Sequence, residues 1–519
     1  MSRRLLAVAA LFALHGIEAF SPPPSQSAAS AACHHHHHQS TRSPADCSSL
    51  FSWRHQPTKS SHLIILRSER SSSTPSNSDG SILGASLLFA GTAIGAGMLA
   101  LPAETLDSGF GPTLSGLIIC WVFTYVTSLA VLESSWTALQ LASVDASSSE
   151  SSSEGGSGGS SFLSMSRRAL GVPGEIVTGV LFWFLLTAIV VAYTAEGGQL
   201  ISQFVDEISS SSINVPTAIG SAVFAFFFGA LGTFGTSRID AINRIFVLGL
   251  VSTFLGLVGF GLPQIDVSNL INYKDWTRLY PNLISIGILS FGAQNVVPTL
   301  LNYLGGDPKR TRQAILFGSL SPLLLYSIWE SVFLGIVSVD GVAGESKMEV
   351  VTVLGETGGP IIKDLVEIFS ACAIGSSMAG ASVSLVDFFE DAMDTFWHGH
   401  NSDPAMDEKE EAAVFDAPSK RLLAAFCALG PPVILAYSFP DIFLVALEEA
   451  GLLGGVSLYG ILPALSLLSL RRSTTDTDTP IPKMPGRVGG GDTALYALVG
   501  VSSLLVVPEV IRLGSMVLS

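Results

Sequence analysis

From residue 80 onward the chain alternates between long apolar runs and short polar joints. A helix crossing a bilayer needs about 20 mostly apolar residues. Runs of that kind cover residues 82–102, 112–133, 175–196, 217–235, 244–262, 281–303, 313–338, 366–388, 421–438, 442–469 and 493–513, numbered here as spans one to eleven. The pattern predicts an all-α membrane protein of about 11 transmembrane helices over residues 80–519, with no room for a sizeable soluble domain. Composition sharpens this. Of 519 residues, 48% are hydrophobic and only 13% are charged, where a soluble protein carries about 25% charged residues. The formal charge of −16 sits largely in loop runs such as Asp407, Glu408, Glu410 and Glu411, a solvated surface. No basic stretch suited to nucleic acid is present. The five cysteines, Cys33, Cys47, Cys120, Cys372 and Cys427, have no metal-ligand spacing and read as apolar fillers.

Residues 1–79 follow a different rule. Arg3 and Arg4 precede a short apolar run, Leu5 to Leu14, and small residues follow near Ala19. That is a signal-peptide layout, too short for a comfortable span. From Ser21 to Ser78 the chain is rich in Ser and Pro, basic and nearly free of acid, as transit peptides are. The junction Glu18-Ala19-Phe20-Ser21-Pro22 resembles the cleavage site of bipartite plastid-targeting leaders of algae. The expectation is a disordered leader addressed to a plastid envelope, with ordinary secretory entry as the alternative. His34 to His38 fall inside this leader and read as low complexity, not as a metal site.

Loop charge predicts orientation, because Lys and Arg concentrate on the cytosol-equivalent side. The loops after spans two, four, six, eight and ten hold Arg167, Arg168, Arg238, Arg244, Lys309, Arg310, Arg312, Lys409, Lys420, Arg421, Arg471, Arg472, Lys483 and Arg487. The opposite loops hold Lys274, Arg278, Lys347 and Lys363, with Arg512 near the C-terminus. An inside N-terminus and an outside C-terminus follow. Two inside loops stand apart: residues 143–165, almost pure Ser, Gly and Glu, read as a flexible linker, and residues 402–416 as an acidic loop.

Two spans are interrupted. Span one carries Gly91, Gly95 and Gly97 just past its centre, and each glycine weakens a helix by about 1 kcal/mol relative to alanine. Freed backbone groups are tolerated in lipid only where they line a polar cavity or meet a ligand. Close helix packing through Gly91 and Gly95 is the competing explanation. Span six, five spans on, is broken as well: Gly292 and Pro298 bracket Gln294 and Asn295. Interruptions at corresponding places in two halves point to an inverted-repeat carrier with a site at mid-membrane. Spans one to five and six to ten would form the repeats, leaving span eleven peripheral.

The run Gly91-Thr92-Ala93-Ile94-Gly95-Ala96-Gly97-Met98-Leu99-Ala100-Leu101-Pro102 resembles the first span of the tryptophan/tyrosine permease family. Ser290-Phe291-Gly292 through Pro298, Leu301 to Asp307, Tyr326-Ser327-Ile328-Trp329-Glu330 and Gly460-Ile461-Leu462-Pro463-Ala464-Leu465 resemble it too, so that the likeness covers about residues 80–515. It implies a leucine-transporter-like 5+5 inverted repeat with broken first and sixth helices. It also implies proton-coupled symport of an aromatic amino acid, tyrosine or tryptophan, with a proton as coupling ion and no cofactor.

Geometry and resemblance together give the residues roles. N–H groups of Gly95, Ala96 and Gly97, at the positive end of the half-helix that follows, would take the substrate carboxylate. Carbonyls around Ser290, Phe291 and Gly292 would accept from its ammonium, with Thr92, Gln294 and Asn295 adding side-chain contacts. Phe291 and Tyr193 would gate or stack on an aromatic substrate, or simply pack. A carboxyl group inside a span is a natural proton carrier, and three qualify: Glu330 ranks first, then Glu133, with Glu196 compared beside them. Ser376 and Ser377 stand where related folds place a sodium ligand, and small-residue packing explains them equally. A sodium-coupled or other-substrate amino-acid carrier of the same fold is the alternative, and a membrane-embedded enzyme the remote one. Outside the leader the only histidines are His398 and His400, in a loop, and no catalytic constellation accompanies them.

Overall fold

The structure, a computed structural model, describes residues 80–148, 162–208, 215–233, 236–272, 275–279, 282–337, 350–400, 417–476, 484–485 and 487–518. The leader expected at 1–79, with its histidine run, and the acidic loop expected at 402–416 lie outside these residues. Every regular element among those described is a helix. Among the described residues nine helices are long and apolar enough to cross a membrane, a bent pair makes a tenth, and the apolar helix Thr217–Leu231 is shorter. All eleven predicted spans therefore have a helical counterpart.

Several helices run well past their apolar stretches. Span two is Phe110–Ser148 and span eight is Pro360–His400. Ala138, Leu139, Gln140, Leu141 and Ala142 are strong helix formers, so the helix continues after the lipid-facing pattern ends. This corrects the linker predicted at 143–165: helix occupies its first residues up to Ser148, and helix resumes at Phe162. The helix Phe162–Ile208 is kinked at Gly171, whose φ of 71° suits glycine, and Pro173 opens the stretch that crosses as span three. Span seven, Pro308–Ile336, starts where its sequence says it should. The Asp307 carboxylate accepts from the N–H of Lys309 at 2.8 Å, and Pro308 takes the first helical position.

Burial separates centre from rim. In span ten 78% of the most apolar window is enclosed, against 17% in span eleven, which turns Leu504, Val507 and Ile511 outward. Span eleven is peripheral, as its place outside the two expected repeats implied. The fully buried large side chains Phe89, Phe291, Tyr326, Trp329, Phe333 and Phe369 come from spans one, six, seven and eight. Span ten holds a feature absent from the sequence reading: Ala450–Ile461 is π-helical, and the Leu462 N–H donates to Ser457 O five residues back. Gly451 in this stretch lies so close to Ser285 that a Cβ there would collide with the Ser285 carbonyl, so spans ten and six touch backbone to backbone.

Candidate functional site

Both predicted breaks are present, and they meet. Span one is Ile82–Ala93 followed by Gly97–Thr105, the halves bent by 57° about Ile94, Gly95 and Ala96. Span six is Asn282–Ser290 followed by Val297–Tyr303, with a short turn at Gln294–Val296 between them. A Cβ on Gly97 would lie 2.7 Å from Ser290 Oγ and 3.3 Å from Ser290 Cα. The start of one second half thus rests against the end of the other first half, an approach only glycine permits.

The groups freed at the breaks are partly claimed by the protein. The Ala96 N–H donates to Ser377 Oγ of span eight at 2.8 Å, and the Tyr193 hydroxyl of span three lies near Ser377. Ser377 also stands 2.7 Å from where a Gly95 Cβ would be. Ala93 O and Ser290 O, the last carbonyls of the two first halves, each lie 2.9 Å from the Tyr326 hydroxyl.

The remaining sequence-predicted residues divide. The Gln294 amide serves the break itself: its Oε1 accepts from the Ala293 N–H at 2.9 Å and its Nε2 donates to Thr127 Oγ1 at 3.0 Å, fully buried. The Thr92 hydroxyl bonds back to Leu88 O at 2.9 Å, and that of Ser290 to Ile286 O at 2.8 Å. Asn295 Oδ1 is buried with no partner among the described residues. Phe291 is enclosed and meets the Tyr326 ring edge to face at 5.2 Å. Gly292 packs under Tyr459 of span ten, 3.4 Å from its would-be Cβ.

The three carboxyl groups have different surroundings. Glu133 is clamped by Arg471, whose Nε and Nη2 donate to it at 2.9 Å each, and it also accepts from the Val488 N–H at 3.0 Å. That clamp joins span two to span ten and to the joint before span eleven. Both carboxylate oxygens of Glu133 are thus engaged by protein donors. Glu330 is fully buried; Thr105 Oγ1 donates to its Oε2 at 2.6 Å, and its Oε1 has no partner among the described residues. It stands toward the end of span seven, against the last residue of span one's second half. Glu196 likewise keeps one buried oxygen, Oε2, without a partner among the described residues.

Sequence reasoning quoted Tyr326 and Trp329 for their resemblance alone and gave them no role. With Glu330 they fall at i, i+3 and i+4, one helical face. Each reaches span one: Tyr326 at Ala93, Trp329 through its indole N–H to Met98 O at 3.0 Å, and Glu330 at Thr105. Three polar-tipped residues on one face of an apolar span were the available signal.

A sequence profile of the tryptophan/tyrosine permease family matches residues 78–507. The chain belongs to that family. It is a multi-pass integral membrane protein of a transporter family, not an enzyme. The tyrosine-specific transport system 2 of Haemophilus influenzae is 28% identical over 439 residues, 83% of this chain and 97% of that one. A tryptophan-specific transport protein of Shigella flexneri is 28% identical over 449 residues, 83% and 96% of the two chains. Glutamine transporter 2 of Aliivibrio fischeri is 24% identical over 399 residues, 76% and 90%. The matched region contains both broken spans and all of span seven.

Proposed function

We propose that this permease carries aromatic amino acids, tyrosine or tryptophan, in symport with a proton. The observation that carries the reading is the convergence of the two breaks, with the Ala96 N–H at the start of one half-helix and the Ala93 and Ser290 carbonyls at the ends of two others. A zwitterion needs donors for its carboxylate and acceptors for its ammonium, and half-helix ends supply both with the favourable dipole. Tyr193, Phe291 and Tyr459 around the breaks offer apolar faces to an aromatic side chain. The names of the tyrosine- and tryptophan-specific relatives support the same substrate class.

Glu330 is our proton carrier. Its buried Oε1, without a partner among the described residues, can take a proton, and its other oxygen is tied to Thr105, so a change of charge acts directly on the second half of span one. We place the transporter in a plastid envelope on the composition of residues 1–79.

Uptake of labelled tyrosine, tryptophan and glutamine into proteoliposomes, with and without an imposed pH gradient, tests this. Tyrosine or tryptophan should accumulate only with the gradient, and Glu330→Gln should abolish accumulation while sparing tyrosine–tyrosine exchange. Preference for glutamine, or dependence on sodium and indifference to pH, would overturn the substrate or the coupling ion respectively.

A further inference from the structure

The Tyr326 hydroxyl sits between two buried acceptors. Ala93 O and Ser290 O are terminal carbonyls of separate half-helices, both 2.9 Å from the one phenolic oxygen, and the side chain has no exposure. A phenol has one proton, which serves one acceptor at a time. Shared between two buried carbonyls, that proton satisfies the pair only in part, and a buried acceptor left unpaired is costly. Both carbonyls also lie at the negative ends of their half-helices, so they repel one another unless something positive lies between them. Edge-to-face contact with Phe291, which belongs to the break of span six, fixes the ring.

We infer that Tyr326 is a positioning residue that sets substrate recognition: it ties the two first halves together and holds their terminal carbonyls as a pair that one phenolic proton satisfies only in part and that an ammonium group can complete. The assignment rests on the reading of the breaks as an amino-acid site. Without the hydroxyl, the two carbonyls drift apart and an arriving ammonium meets one acceptor instead of a preset pair. The alternative is plain packing, in which the ring matters and the oxygen does not.

Tyr326→Phe deletes that one oxygen and keeps the ring. In proteoliposomes it should raise the KM for labelled tyrosine about tenfold, the size expected of one hydrogen bond to a charged group, with the maximal rate within about twofold of wild type. Tyrosine-induced stabilisation against thermal unfolding should fall in parallel. Trp329→Phe removes a hydrogen bond of the same span to Met98, away from the carbonyl pair. It should lower thermal stability without raising the KM. An unchanged KM in Tyr326→Phe, or an equal rise in both variants, overturns the inference while the transport reading stands. If the wild-type protein takes up no amino acid saturably, the reading and the inference fall together.

Discussion

Gly95 and Gly97 act through what they lack. Each stands 2.7 Å, at its would-be Cβ, from a serine hydroxyl of another span: Ser377 for Gly95 and Ser290 for Gly97. Their weakness as helix formers was legible in the sequence, but the partners they admit were not. Gly95→Val should abolish tyrosine uptake while membrane insertion and yield stay normal, because a branched side chain fills the space of Ser377 beside the Ala96 N–H. Wild-type uptake by that variant would place the carboxylate site elsewhere. Gln294 teaches the opposite lesson. A buried amide in a broken span reads as a ligand contact, yet it is occupied by Ala293 and Thr127. Residue type says that a buried amide needs partners; only position says whether the partners are protein or ligand.

At the level of elements, breaks proved easier to read than the ties that hold them. A glycine cluster or an internal proline weakens a helix by local physics, so spans one and six announce their interruptions. The π-helical stretch of span ten gave no such notice, since Gly451, Gly454, Gly455 and Gly460 suit close packing as well as a widened helix. Span ends behave similarly. Arg471 and Arg487 read as loop residues and Glu133 as a candidate proton carrier, whereas Arg471 links Glu133 to Asp492 and so joins spans two, ten and eleven. Glu133 and Arg471 are both nearly enclosed, with side-chain exposures of 1% and 10%. Removing one member of such a pair strands the other and costs on the order of 3 kcal/mol. Glu133→Ala should lower the thermal unfolding midpoint of the purified protein accordingly. Adding Arg471→Met should recover part of the loss, and additive losses would contradict a direct coupling between the two.

At the scale of the whole molecule, residues 1–79 differ in composition from the apolar chain that follows them. Residues 21–78 are basic, Ser-rich and nearly without acid, and Arg3 and Arg4 precede a short apolar run. Fused to a fluorescent protein and expressed in an alga with complex plastids, residues 1–79 should carry the reporter to the plastid, and Phe20→Ala should hold it at the outer membranes. Retention of the wild-type fusion in the secretory pathway would assign the permease to another membrane.

The sequence by itself determined the class, the apolar stretches that become helices and the places where two of them fail, because membrane insertion and helix breaking depend on composition within about 20 consecutive residues. Tertiary structure alone decided what faces the breaks. Tyr326 reaches Ala93 across 233 positions of sequence, Ser377 reaches Ala96 across 281, and Arg471 reaches Glu133 across 338. Such pairings are set by how the spans pack, and packing in lipid is guided by shape and a few polar contacts, not by a periodic pattern that a single sequence displays.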